Sequence, residues 1–301
     1  MINQEFNTIL ELLQVFNNEE ICIEHLETIR WGGNIISPFD ASSKVYKCKG
    51  NKYKCKNTGK YFNVKTNTLF DNTKIPLQKW FLAIWIATSH KKGISSCQLA
   101  KDIGTTQKTA WFMLQRIRKC FGIDDDTQMK GTIEVDEAYF GGKEANRHMK
   151  DRVKGVKEKT AVFGIIERDT KRVKSFRVND TKATTLYPKI AHNIQQNSII
   201  MTDEATCYKR LYVNYKHNRV NHSKGKYSFG SIHTNTIEGY WSQVKRGING
   251  IYHWTSKKHI DKYLNEYSFR YNTRDCKEGE RFNLFLKSLE CKTTYKELIY
   301  G

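Results

Sequence analysis

The chain is poor in proline, with three in 301 residues. It also has no low-complexity stretch and no internal repeat, so neither a proline-rich linker nor a solenoid organises it. Long apolar runs are missing. The most apolar stretch, Trp80 to Thr88, falls far short of the ~20 residues that span a bilayer. The start, MINQEFNTIL, has neither a basic segment nor an apolar one behind it, so no secretory leader is read and the cytoplasm is expected. The eight cysteines are scattered without the spacing of a small disulfide scaffold, and free thiols are the expectation. Acidic residues are few: 31 Asp and Glu stand against 51 Lys and Arg, a net charge of +20. That imbalance is unlike a typical metabolic enzyme and points to a polyanion, with DNA or RNA the best fit through phosphate contacts. No basic amphipathic terminal helix or lipidation signal favours a membrane surface instead.

What is present falls into segments. Residues 1–33 read as two helices, the second stopping at Gly32-Gly33. Residues 34–74 have short Tyr/Val/Phe strands broken by Gly and Asn, the layout of a small ribbon with two knuckles. A zinc ribbon needs four Cys or His ligands. Here the knuckles read Ser37-Pro38-Phe39-Asp40 and Cys55-Lys56-Asn57-Thr58, so a ribbon-shaped hairpin without zinc is expected. The alternative is a set drawn from Cys22, His25, Cys48 and Cys55.

Residues 75–123 are helical. Ser95 or Ser96 caps a short helix, Gly104 turns, and Thr105 opens a second helix with Ala110, Met113, Leu114 and Ile117 inward. This is helix-turn-helix spacing, and the second helix is expected to enter the major groove by Thr105, Thr106, Gln107 and Lys108. Arg116, further along it, completes the expected DNA contacts of this region. Asp124-Asp125-Asp126 reads as an acidic link at the main boundary.

Residues 130–290 alternate strands and helices, leaving 291–301 as a tail. Three strands (131–140, 160–167, 172–178), a helix (183–196), a fourth strand (198–202) and further helices follow the order of an RNase H-like α/β domain, a mixed sheet flanked by helices. A basic loop, 143–159, lies between the first two strands. In that order the first and fourth strands are neighbours, bringing Asp136 beside Asp203. A later helix, within HTNTIEGYWSQVKRGIN (233–249), carries Asn235, Glu238, Trp241 or Ser242, and Lys245 on one stripe. Three carboxylates brought together repel unless a cation lies between them, and hard oxygen donors suit Mg²⁺ or Mn²⁺. Two such ions about 3.5–4 Å apart assist in-line displacement at phosphorus. Asp136, Asp203 and Glu238 are the expected metal ligands, with Lys245, beside Arg246, on DNA phosphate. Asn235, one turn before Glu238, either shares the metal or steadies the glutamate.

The motifs LQKWFLAIWIATSHKKGISSCQLAKDIG, EVDEAYFGGK, MTDEATCY and HTNTIEGYWSQVKRGINGIYHWTSKKHIDKYLNEYSFRYNTR together resemble the ISXO-like insertion-sequence transposases, a DDE-type family with Merlin relatives. The resemblance covers nearly the whole chain. It implies a bacterial, nucleoid-associated enzyme that binds its element's terminal inverted repeats, cuts the ends and joins them to target DNA. A dimer or larger assembly on DNA is implied too, because two ends must be joined. Asp136 and Asp203 match the family's first two acids and Lys245 its lysine; Glu238 is favoured over Asn235 as the third, since an anion better balances two divalent cations. The ribbon departs from the family pattern, with Ser37, Asp40 and Thr58 at ligand positions. Two rival classes remain: a DNA-binding protein without catalysis, and a nuclease that does no joining.

Overall fold

Helix boundaries near the start are set by side chains that satisfy the first N–H groups of each helix. In α1 (Ile9–Val15), Thr8 and Glu11 form a reciprocal capping box. Asn18 caps α2 (Glu19–Trp31), which ends where Gly32 turns left-handed at φ +56°. The computed structural model describes residues 5–122, 127–141, 159–220 and 233–300. The acidic link 124–126, residues 143–158 of the basic loop and residues 221–232 lie outside them. The chain divides into two compact units, Met1–Ile123 with Asp275–Gly301, and Asp124–Arg274.

In the first unit a three-stranded antiparallel sheet, β1 (Val45–Cys48), β2 (Lys52–Cys55) and β3 (Tyr61–Phe62), follows the opening helices. Next come α3 (Leu77–Ser89), α4 (Ser96–Asp102) and α5 (Gln107–Cys120). Ser95 caps α4 and Thr106 caps α5 through their hydroxyls. The unit is completed from the far end of the chain by α9 (Glu278–Leu286) and α10 (Tyr295–Tyr300). Phe282 of α9 packs against Phe6, Phe81 and Trp85 with ring centroids 5.4 to 6.1 Å apart. These apolar contacts place residues 275–290 with the N-terminal helices, so the expected boundary at 290 moves to Arg274–Asp275. Eight free thiols were expected, yet Cys120 and Cys291 are joined in a disulfide inside this unit, their Cα atoms 5.5 Å apart.

The second unit is built on a five-stranded mixed sheet of order β6-β5-β4-β7-β8. Its strands are β4 (Thr132–Phe140), β5 (Thr160–Glu167), β6 (Val173–Arg177), β7 (Ile199–Thr202) and β8 (Lys216–Arg219). The first three pair antiparallel; β7 joins β4 in parallel, and β8 joins β7 in parallel. Alternation along β4 sends Ile133 and Val135 to one face and Ala138 and Phe140 to the other. The first face packs on α6 (Ala183–Asn193) through Leu186 and Ile190. The second packs on α7 (Asn235–Gly247) and α8 (Ile260–Asn272) through Ile237, Trp241, Val244 and Leu264. A mixed sheet covered on both faces, with this strand order, is compatible with an RNase H-like domain.

Candidate active site

Parallel pairing sets the positions of the first two acids. Thr132, Ile133 and Glu134 on β4 pair with Ile199, Ile200 and Met201 on β7. Carrying that offset two residues onward brings Asp136 level with Asp203, the residue just past the end of β7. Asp203 Oδ1 accepts a hydrogen bond from Ala205 N at 3.0 Å, a local turn that holds its carboxylate at the strand end.

Asp136, Glu137, Glu238, Trp241, Ser242, Lys245, Arg246, Asn249 and Gly250 line one cleft of about 730 Å³. Glu238, Ser242 and Lys245 reach it as expected of residues four and seven apart on a helix. Trp241 only borders it, because its ring is buried against the sheet at 3% exposure. Glu238 Oε1 accepts from the Thr234 hydroxyl at 2.8 Å. Asn235 is exposed at the first turn of α7 and is not among the cleft's lining side chains.

The electrostatics show a shared anionic site. Burial pushes Asp136 up to about 6; Asp203 and Glu238 push the same way, while the Glu137 backbone N–H and Lys245 oppose them. Glu137 is raised to about 7, first by burial and then by Asp136 and Asp203, against a hydrogen bond donated by the Tyr208 hydroxyl. A carboxylate that resists ionising for these reasons gains from a cation placed beside it. The donors are hard oxygens, the type Mg²⁺ and Mn²⁺ prefer. Among the described residues, no three His, Cys, Asp or Glu side chains close around a single ion. Asp136, Glu137 and Glu238 line the cleft, and Asp203, which does not, acts on Asp136 and Glu137 through its charge.

Sequence reasoning missed two members of this neighbourhood. Strand alternation sends Glu137 to the opposite face of β4 from Asp136, yet it lines the same cleft. Glu134 is fully buried and bonded to the start of α7. The sequence carries no signal for it, because Thr234 stands just before that helix as an apparent cap.

In the other unit, Thr106, Gln107 and Lys108 are exposed at the start of α5, and Thr105 is half-buried. The Gln107 amide donates to Ser96 Oγ at 2.8 Å, and Lys108 Nζ lies 5.3 Å from the Tyr295 ring centre. Arg116 is a correction. It is 5% exposed, donates to the Asp71 carbonyl at 2.8 Å and stacks over Phe112, so its place on the apolar side of α5 makes it a core residue.

At the hairpin the donors do not fit zinc. Cys55 is wholly buried, and its neighbours are hydroxyls. Burial raises the Cys55 thiol, but hydrogen bonds from Ser37, Ser43 and Thr58 outweigh it and bring it to about 6. Asp40 is turned to Ser42 and Asn57 instead. Cys22 and His25 are buried on α2, with His25 Nε2 3.0 Å from Asn283 Oδ1.

The ISXO2-like transposase domain matches residues 128–272, the span that holds the sheet and all the cleft residues. A transposase-like protein of Haemophilus influenzae is 32% identical over 104 residues, 33% of this chain and 80% of that one. The chain belongs to the ISXO2-like transposase family. A protein in transposable element ISH50 of Halobacterium salinarum is 25% identical over 275 residues, covering 86% of this transposase-family chain and 92% of its own. Among solved structures, a chain of the simian T-cell lymphotropic virus intasome in complex with PP2A regulatory subunit B56 gamma aligns over 56% of this chain and 63% of its own. It has 13% identity and a TM-score of 0.30, too low to carry any argument. Among the described residues no helix is long and apolar enough to cross a membrane.

Proposed function

We propose that this chain is a DDE-type DNA transposase that cuts the ends of its own element and joins them to target DNA. The observation that carries the reading is the β4–β7 register, which sets Asp136 level with Asp203 while Glu238 and Lys245 line the cleft Asp136 enters. Asp136, Asp203 and Glu238 would hold Mg²⁺ or Mn²⁺, which supplies activation of the attacking oxygen and stabilisation of the leaving one. Glu238 is preferred to Asn235 as the third ligand, because an anion better balances two divalent cations and Glu238 shares the cleft with Asp136. Asn235, one turn before Glu238, is then read as steadying the glutamate.

The chain's own groups do the positioning. Lys245 and Arg246, exposed on α7 and lining the cleft, bind phosphates flanking the scissile bond. Trp241 backs the cleft with a ring packed against the sheet, anchoring the helix that presents Glu238. The α4–α5 pair is read as the helix-turn-helix that grips the terminal inverted repeats, with Thr105, Thr106, Gln107 and Lys108 toward the bases and phosphates. The hairpin of residues 34–74 is read as a metal-free ribbon. Joining two ends calls for at least two copies on the DNA, acting at the nucleoid.

The test is a cleavage and joining assay on labelled element ends. Asp136→Ala and Asp203→Ala are expected to abolish product while end binding persists, and EDTA to stop the wild type. Full activity in either variant, or in EDTA, overturns the reading. Joined product from a pre-cut end separates a transposase from a nuclease that only cuts.

A further inference from the structure

The helix that presents Glu238 has no cap of its own. Thr234 directs its hydroxyl to Glu238 rather than to a backbone N–H. The N–H groups of Thr236 and Ile237 donate instead to Glu134 Oε2, each at 2.9 Å. The Thr236 hydroxyl donates to Glu134 Oε1 at 2.8 Å, and Arg168 Nε donates to the same oxygen at 2.6 Å. Arg168 also donates to the His233 carbonyl at 2.5 Å and sits 3.0 Å from its ring nitrogen Nδ1. Glu134 is therefore a cap delivered to α7 from a strand about a hundred residues earlier in the chain. It is fully buried, where a carboxylate is tolerated only if its charge is matched and its oxygens are filled. Arg168 supplies the charge, and the start of a helix is itself a favourable place for an anion.

Glu134 and Asp136 are two residues apart on β4 and share one face of it. One enters the cleft; the other grips the helix that brings Glu238 to that cleft, one or two residues before Glu238 itself. We propose that Glu134 is a positioning residue of the active site, fixing the separation between Asp136 and Glu238 by clamping the first turn of α7 to β4, with Arg168 as its counter-charge. The proposal rests on the reading of Asp136, Asp203 and Glu238 as metal-holding acids. An apolar residue at position 134 would fill the space but take the acceptor from two helix N–H groups and remove the carboxylate paired with the half-buried Arg168, which keeps the His233 carbonyl. A glutamine would fill it and keep one acceptor, but its amide N–H₂ would face donors.

The test is Mn²⁺ binding to the full chain, counted by electron paramagnetic resonance of the free ion, beside the Mg²⁺ concentration needed for half-maximal cleavage. Glu134→Gln is expected to weaken Mn²⁺ binding and raise the Mg²⁺ requirement by about tenfold or more, the usual effect of losing a residue that orients metal ligands. Binding of element ends without metal is expected to stay within about twofold of wild type, as a purely local change at the cleft requires. Unchanged Mn²⁺ affinity in a folded Glu134→Gln overturns the proposal and leaves Glu134 a structural cap only. Should that variant not fold, Thr236→Val carries the test with Thr236→Ser beside it. Weaker Mn²⁺ binding in the valine form, restored in the serine form, supports the clamp, and wild-type binding in the valine form overturns it. Asp136→Asn is measured in parallel. If it binds Mn²⁺ like the wild type, the acid-site reading itself fails and the clamp falls with it, a pattern distinct from a silent Glu134→Gln.

Discussion

Trp241 lies where the side chain of residue 164 would be: a Cβ built on Gly164 comes within 2.4 Å of its ring carbon. Gly164 is also the β5 partner of Asp136 across the ladder. The glycine thus lets α7 settle onto the sheet directly behind the first acid. Gly164→Ala is expected to cost about 1–3 kcal/mol, the range for overfilling a packed interior. Urea unfolding measures it, and Trp241→Ala, which empties the same contact, is expected to cost about 3–5 kcal/mol. A neutral Gly164→Ala would mean the helix can lift from the sheet without penalty.

The raised acids give stability a defined pH dependence. Asp136 moves from 3.8 to about 6 and Glu137 from 4.5 to about 7 on folding. Between those limits the folded chain holds protons that the unfolded chain has released. Stability of the metal-free protein therefore falls as pH rises from about 4 to about 7. Asp136→Asn removes part of this penalty. It is expected to raise stability at pH 7.5 by on the order of 2 kcal/mol and to change little at pH 4. Thermal melts in EDTA across that range decide it, and a variant that is no more stable at pH 7.5 contradicts the assignment.

Lys108 and Arg116 lie on the same helix but are expected to respond in opposite ways. Lys108→Ala should lower the salt slope of end binding by about one, as loss of a phosphate contact does. Arg116→Ala should leave the slope alone and destabilise the fold by about 1–3 kcal/mol, because the buried Asp71 carbonyl loses its donor. Filter binding at several salt concentrations, with melts of both variants, checks the pair.

The hairpin is expected to carry less than one equivalent of zinc after chelator-free purification. Ser37→Cys, Asp40→Cys and Thr58→Cys together with the native Cys55 recreate two Cys-x-x-Cys knuckles, and that variant is expected to bind one zinc with four thiolates. Metal analysis of both proteins settles the point; a stoichiometric zinc in the wild type would require ligands other than those around Cys55.

The sheet was legible in the sequence because β4, β5, β6 and β7 carry apolar side chains at the spacing of a buried strand, and their predicted limits lie within a residue of those observed. β8 was not legible. Its sequence, KHNR, has no apolar alternation, and it is a strand only because β7 offers it a parallel edge. That Asp136 and Glu238 face one cleft was readable from spacing, since strand and helix periods fix which face each takes. Glu134 and Arg168 were not, because their roles depend on a pairing across distant parts of the chain that periodicity does not encode. The same applies to Cys120 and Cys291, which are separated by 171 residues.

The grouping of Asp275–Gly301 with the first unit has a consequence in time as well as in space. A ribosome delivers α1 to α5 first, but the aromatic ring that closes their interior, Phe282, arrives only after the whole sheet unit has been made. At about 5–20 residues per second that wait is on the order of ten seconds. During it Phe6, Phe81 and Trp85 lack their cover, while the sheet unit already has every strand it needs. A copy of the gene truncated after Arg274 would thus encode every one of the proposed catalytic acids and still leave the first unit with an open core.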